Sequence, residues 1–210
     1  MQLAFIERVK QWGWPKTVKV DNGRPFGDPL RGGLPPLALW LIGMGVDVVW
    51  NRPRTPQDNA KVERCQSTLA TWTEFENVAD GTELTKKLKE QAQFYNYDFR
   101  DRRQGNQTRI ERFPDLVHSG RCYEQATFDS QRVADFIGKG SWQRTVSKVG
   151  QISMPGGRFS IGQRYAGQLV TVKFCPQTHS LEIFNSAGQI LGKSKPQYWD
   201  NWIRKIEGVT

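Results

Sequence analysis

The chain has 210 residues, enough for one large or two small domains, and its 37% hydrophobic content with 8 Trp can build a core. A net charge of +9 and a pI near 9.6 point to an acidic partner, nucleic acid first. Cys65, Cys122 and Cys175 form no C-x-x-C pair, which speaks against structural zinc and for a reducing compartment. No apolar run approaches the roughly 18 residues of a membrane span, and Glu7 and Arg8 break the opening apolar run of a signal peptide. The expected location is the cytoplasm or the nucleoid, with no membrane partner. His118 and His179 stand far apart and read as structural or surface residues.

The opening stretch, residues 2–12, predicts a helix with Leu3, Ile6 and Val9 on one side, ended by Gly13 and Pro15. In TVKVDNG, Val18 and Val20 alternate with Lys19 as a short strand, and Asp21 stands at its carboxyl end. Asp-Asn-Gly is a common turn sequence in which Asp21 can make an Asx turn. Carboxyl ends of strands in open α/β sheets are equally where functional side chains gather. After a Gly-, Pro- and Arg-rich loop, Leu34 to Met44 predicts a helix started by Pro35-Pro36 and packed through Leu37, Trp40 and Leu41. Val46, Val48 and Val49 predict a second strand. Strand, helix, strand implies a right-handed parallel crossover.

Pro53 and Pro56 then force a loop, and Asp58 or Asn59 can cap the next helix. Val62, Cys65, Leu69 and Trp72 follow as its apolar stripe. Glu63 lies off that stripe, on the flank of Asn59 one turn earlier, near Arg52 and Arg54. An ordinary surface glutamate also suits a helix's first turn. The crossover, however, is expected to bring Asp21 and the start of this helix to one sheet edge. Two carboxylates converging there would share a divalent ion, and hard oxygen donors suit Mg²⁺.

Residues 74–98 predict one helix, with Leu84, Leu88, Ala92 and Tyr95 inward and Lys86, Lys87 and Lys89 outward. From Tyr95 to Arg112 the chain is arginine-rich. Arg100, Arg102, Arg103, Arg109 and Arg112, interleaved with Tyr97 and Phe99, suggest a phosphate-tracking surface. Residues 113–143 read as a linker with a helical piece from Ser130 to Gly138. From Thr145 short strands alternate: Phe159 with Ile161, then Val170, Val172 and Phe174, then Leu181 and Ile183. They predict a small SH3-like β-barrel given basic character by Lys148, Arg158, Arg164 and Lys173. The tail YWDNWIRKI is either a cap on the barrel or an interface helix. The expected division is 1–98, 99–143 and 144–210.

VKVDNGRPF, a helix and a strand, and then NRPRTPQDNAKVER resemble the second and third acidic motifs of DDE transposases and retroviral-type integrases, the insertion-sequence transposases most of all. YNYDFR…RIERF is similar to the segment after their core, and the terminal barrel resembles their C-terminal DNA-binding domain. The likeness covers nearly the whole chain. It implies an RNase H-like core whose acids hold Mg²⁺ or Mn²⁺ for phosphodiester cleavage and strand transfer. By resemblance, Asp21 is the second acid and Glu63 the third, both catalytic and metal-binding, and Asn59 orders the site. Arg52, Arg54, Lys61 and Arg64 would contact DNA phosphates by position, joined by Arg100, Arg102 and Arg103. DNA is the implied partner, with a homo-oligomer or a full-length transposase beside it.

The sequence departs from that pattern in one important respect. The first acid belongs on an opening strand, but the 20 residues before Asp21 read as a helix and contain no aspartate. The family's N-terminal helix-turn-helix or zinc domain is also missing, and the interval from Asp21 to Glu63 is long. Asp28 and Asp58 are not on strands expected to reach the site, so neither substitutes. The reading is an α/β protein: a partial RNase H-like core, truncated and lacking its opening strands, then a helical linker and a small SH3-like β-barrel. It predicts a chain inactive or nearly so alone. The alternative is a non-catalytic DNA-binding remnant or accessory protein.

Overall fold

Leu37 to Gly43 are seven consecutive small or apolar positions with no polar face, and all seven are buried. A helix of this kind must be covered on every side, and that requirement organises the first of two compact units. The structure, a computed structural model, describes residues 2–23, 25–27, 35–154, 157–194 and 199–208. One unit comprises Met1–Trp50 with Gly120–Thr210, and the other is Asn51–Ser119.

In the first unit, α1 (Gln2–Trp12) is followed by β1 (Thr17–Val20), α2 (Pro36–Gly43) and β2 (Asp47–Trp50). Strands β1 and β2 pair in parallel, with Val20 opposite Trp50, so both carboxyl ends reach the same sheet edge. Pro35 stands at the N-cap of α2 and Pro36 opens it, where the missing N–H of proline costs nothing. The predicted face of α1 is corrected. Leu3 is 64% exposed, and the inward positions are Gln2, Phe5, Ile6 and Val9. Trp14 and Trp40, which belong to the core, draw Phe5 inward through ring contacts at 6.4 and 6.3 Å.

The return half supplies the cover for α2. Helix α6 (Ser130–Gly138) buries Val133, Ala134 and Ile137 and packs on α2. The C-terminal helix α7 (Trp199–Glu207) packs on α2 through its own apolar side, where Ile203 and Ile206 are buried. Two arginines absorb backbone carbonyls at the end of α2, which has no basic residue in its last turn. Arg121 donates to the carbonyls of Pro15 (2.8 Å) and Gly45 (2.9 Å), and Arg132 to that of Ile42 (3.1 Å).

Between α6 and α7 lie β3 (Ser141–Thr145), β4 (Gln151–Met154), β5 (Gly157–Ser160), β6 (Leu169–Cys175), β7 (Ser180–Phe184) and β8 (Ile190–Ser194). The predicted alternation holds: Val170, Val172, Phe174, Leu181 and Ile183 are all buried. Among the described residues the ladders form an antiparallel sheet ordered β3-β6-β7-β8 and a separate hairpin β4-β5, with no closed barrel. One hydrophobic cluster runs from Val9 to Ile206 and contains the sheet's inner face. Residues 120–143, expected in a linker, therefore belong to the core of this unit. The N-terminal stretch and the β-rich stretch, expected as separate domains, share that core.

The second unit is helical. Its α3 (Ala60–Thr73) and α4 (Gly81–Tyr97) pack together, and the short α5 (Arg109–Arg112) packs on α4. The single helix expected over 74–98 is broken. Glu74 is left-handed at φ 50°, a 3₁₀ turn spans Phe75–Asn77, and Asp80 caps α4 by accepting the N–H groups of Thr82 (2.7 Å) and Glu83 (2.8 Å). The stripe expected on α3 is also shorter, because Val62 is 53% exposed. Among the described residues this unit has no fully buried apolar side chain. An aromatic cluster holds it instead: Trp72 meets Phe94, Tyr95 and Phe99 with centroids 5.6, 5.7 and 5.0 Å apart. The guanidinium of Arg109 lies 4.1 Å over Tyr95.

Candidate functional site

Asp21 follows β1 directly and is exposed. Its Oδ1 accepts the Gly23 N–H at 3.0 Å, so it makes the Asx turn its sequence allowed. A Cβ at position 23 would stand 3.3 Å from that oxygen, which is why a glycine suits the turn. The turn occupies one lone pair of one carboxylate oxygen. The remaining acceptor capacity faces solvent, as a cation ligand requires. Asp28, the discounted substitute acid, lies outside the described residues.

Glu63 belongs to the other unit. It stands exposed in the first turn of α3, its N–H bound to the Asn59 carbonyl at 3.0 Å. It borders a shallow, mostly apolar groove with Gln66, Ser67, Leu69, Ala70, Phe75 and Leu88. Both acids are hard oxygen donors of the kind Mg²⁺ prefers. Among the described residues no group of three or more His, Cys, Asp or Glu is gathered to hold a metal. The set expected from sequence itself contains only two acids.

The expected capping of α3 is corrected. Asn59 stands at its N-cap but makes no side-chain cap bond. Its Oδ1 instead accepts Asn51 Nδ2 at 3.0 Å. Asp58, the other candidate cap, binds Arg52 in a fork: Nε at 3.1 Å, Nη2 at 2.9 Å and the Arg52 backbone N–H at 3.0 Å. That carboxylate raises the pKa of Arg52, chiefly through the side-chain hydrogen bond.

The expected phosphate contacts divide into two groups. Arg52 is committed to Asp58. Arg100 is committed to Glu111, with contacts at 2.6 and 2.9 Å, and to the Asn106 carbonyl at 3.0 Å. Arg109 lies over the Tyr95 and Phe99 rings, 4.1 and 5.2 Å from their centroids, and donates to the Tyr95 hydroxyl at 3.1 Å. These three staple the unit. Arg54, Lys61, Arg64, Arg102 and Arg103 are exposed and have no acidic partner among the described residues. Arg54 holds a left-handed backbone at φ 56°. Sequence reasoning missed the pairing because Arg100–Glu111 and Arg109–Tyr95 join residues more than ten positions apart. The capping box Thr108-x-x-Glu111 was a legible sign that Glu111 had a structural post.

Charge is unevenly distributed between the units. Asn51–Ser119 carries twelve Lys and Arg against eleven Asp and Glu, so it is nearly neutral. The stretch from β3 to β8 carries six basic residues against one acid, Glu182, which itself pairs with Lys193 at 2.7 Å. Lys148, Arg158, Arg164 and Lys173 are exposed there with no acidic partner among the described residues. The larger excess of positive charge therefore lies on the β-rich stretch rather than on the helical unit that holds the arginine-rich segment. No protein-family model matches the chain. No helix among the described residues is long and apolar enough to cross a membrane.

Proposed function

We propose that this chain is the C-terminal portion of a DDE-type transposase or integrase, a metal-dependent polynucleotidyl transferase acting in DNA integration. The observation that carries the reading is the motif pair Asp21-Asn22-Gly23 and Pro56-x-Asp58-Asn59-x-x-x-Glu63, each acid sitting at the start of a turn or helix beside a rigid element. The sequence resemblance of the first half to an RNase H-like core supports it. Asp21 and Glu63 would hold Mg²⁺ or Mn²⁺. The ion, when bound, supplies Lewis-acid activation of a hydroxyl nucleophile and stabilisation of a leaving oxygen. Asn59 orders the turn that carries Glu63.

The motifs within these 210 residues account for two of the three acids such a site uses. A pair of carboxylates grips an ion more weakly than three, so this polypeptide alone should nick duplex DNA slowly or not at all with Mn²⁺. Addition of a full-length transposase would test whether it joins an active assembly. Robust nicking by the chain alone, or nicking unchanged by Asp21→Asn and Glu63→Gln, would overturn the assignment.

The second reading is a DNA-binding remnant or accessory protein that does not cut. The concentration of exposed positive charge between β3 and β8 favours it. DNA retention that persists in Asp21→Asn and Glu63→Gln, with no nicking by any form, is its signature.

A further inference from the structure

The segment between Asn51 and Asn59 is closed at both ends by side chains. Arg52 and Asp58 form the outer clasp, with three hydrogen bonds. Asn51 and Asn59 form the inner one. Asn51 is 7% exposed, a buried polar side chain whose place is set by the packing around it. Asparagine at an N-cap ordinarily turns its oxygen onto an N–H of the first helical turn. Asn59 does not: its backbone is helical at φ −103° and ψ −8°, and its Oδ1 accepts from Asn51 instead. A carboxamide has its oxygen and its NH₂ on opposite sides, so holding Oδ1 toward a buried donor turns the NH₂ the other way. The same residue anchors Glu63 through its carbonyl, and the two side chains are neighbours one helical turn apart.

We infer that Asn51 is a positioning residue: it fixes the Asn59 carboxamide with oxygen inward and NH₂ outward, so that an N–H donor stands beside the Glu63 carboxylate. This rests on the phosphoryl-transfer reading. A phosphate oxygen arriving beside a carboxylate-held cation meets a donor in this orientation. In the reverse orientation it meets a second acceptor and is repelled.

The test uses the full chain, ¹⁵N-labelled, at pH 7.5. Asn51→Asp presents only acceptors when ionised, so the Asn59 NH₂ must turn inward. Its side-chain protons should then exchange with water at least tenfold more slowly than in the unsubstituted chain, while thermal unfolding stays cooperative. Asn59→Asp probes the bond from the other side. A carboxylate still accepts from Asn51, so the Asn51 NH₂ should remain slow to exchange, and this variant decides the matter if Asn51→Asp does not fold. Equal Asn59 exchange in both proteins, or release of the Asn51 NH₂ in Asn59→Asp, overturns the inference. Titration with Mn²⁺ alone separates it from its premise. Paramagnetic broadening around residues 60–64 would show that Glu63 holds the cation, and no broadening in the unsubstituted chain overturns the functional role. With Mg²⁺ in place of Mn²⁺, added inorganic phosphate should shift the Asn59 side-chain NH₂ signals of the unsubstituted chain and not those of Asn51→Leu, and an equal response in both overturns that role. The exchange data decide the orientation independently.

Discussion

Glu111 shows how much a single side chain can be asked to do. It accepts the Thr108 N–H at 2.9 Å in a capping box and receives the Arg100 guanidinium on both oxygens. These contacts hold its pKa below the usual carboxylate range, the Thr108 backbone bond contributing most and Arg100 next. The folded pKa is depressed, so the stabilisation is present above the unfolded carboxylate pKa and is lost as pH falls through the folded value. Glu111→Gln should therefore lower the stability of this region at pH 7. The gap from the unsubstituted chain should close once the pH drops below the ordinary carboxylate range, as followed by hydrogen exchange of the α5 amides. A gap that persists at low pH would assign the effect to packing instead. At this scale the Thr108 and Glu111 spacing was readable in advance. The fork from Arg100 was not, because nothing local to residue 100 specifies a partner eleven residues on. The same limit applied to Asn59: its type and place predict a cap, but its backbone is helical and its Oδ1 accepts from a buried neighbour eight residues earlier.

Among the elements, α2 is the one whose composition dictates its surroundings. Leu39 and Leu41 are fully buried, and so is Ile206 of α7, which packs on α2. Ile206→Ala removes apolar volume from this contact and should cost about 2–4 kcal/mol, read from urea denaturation. A cost below about 0.5 kcal/mol, the range of ordinary surface substitutions, would mean that α7 is not part of the folded unit. The strands β1, β2, β5, β6 and β7, the first helix, α2 and the piece from Ser130 to Gly138 were visible as patterns, because local periodicity and punctuation by proline and glycine decide them; β3, β4 and β8, which lack a clear apolar alternation, were not. The break before α4 was missed although its signal was present: Asp80-Gly81-Thr82-Glu83 is a start sequence lying inside an otherwise helical stretch. The role of α6 was not visible, since an amphipathic helix does not announce what covers it.

For the molecule as a whole, the distribution of charge carries the clearest prediction. A net charge of +9 says only that an acidic partner is favoured. The folded chain puts the excess on the β-rich stretch, where Lys148, Arg158, Arg164 and Lys173 are exposed. Replacing Lys148, Arg158 and Arg164 by Gln should weaken duplex binding and flatten its salt dependence, by roughly 0.9 in the log–log slope for each phosphate no longer neutralised. An unchanged slope would remove this surface from consideration. Replacing Arg100 should act differently, lowering stability with little direct effect on the salt slope, because its charge is already matched by Glu111.

The first helix, the strand–helix–strand that follows it, the parallel pairing of those two strands, the three strands with clear apolar alternation in the C-terminal stretch and the pair of acidic motifs were determined by the sequence alone. All are set by neighbours in the chain, through periodicity, backbone restriction and the short reach of a crossover. Tertiary structure decided which arginines are staples and which are left exposed, which side of α1 faces inward, and that residues 120–143 belong to a core. Those outcomes depend on contacts between residues distant in sequence. Burial around α2 gathers its cover from both ends of the chain, and an ion pair forms wherever folding brings opposite charges together.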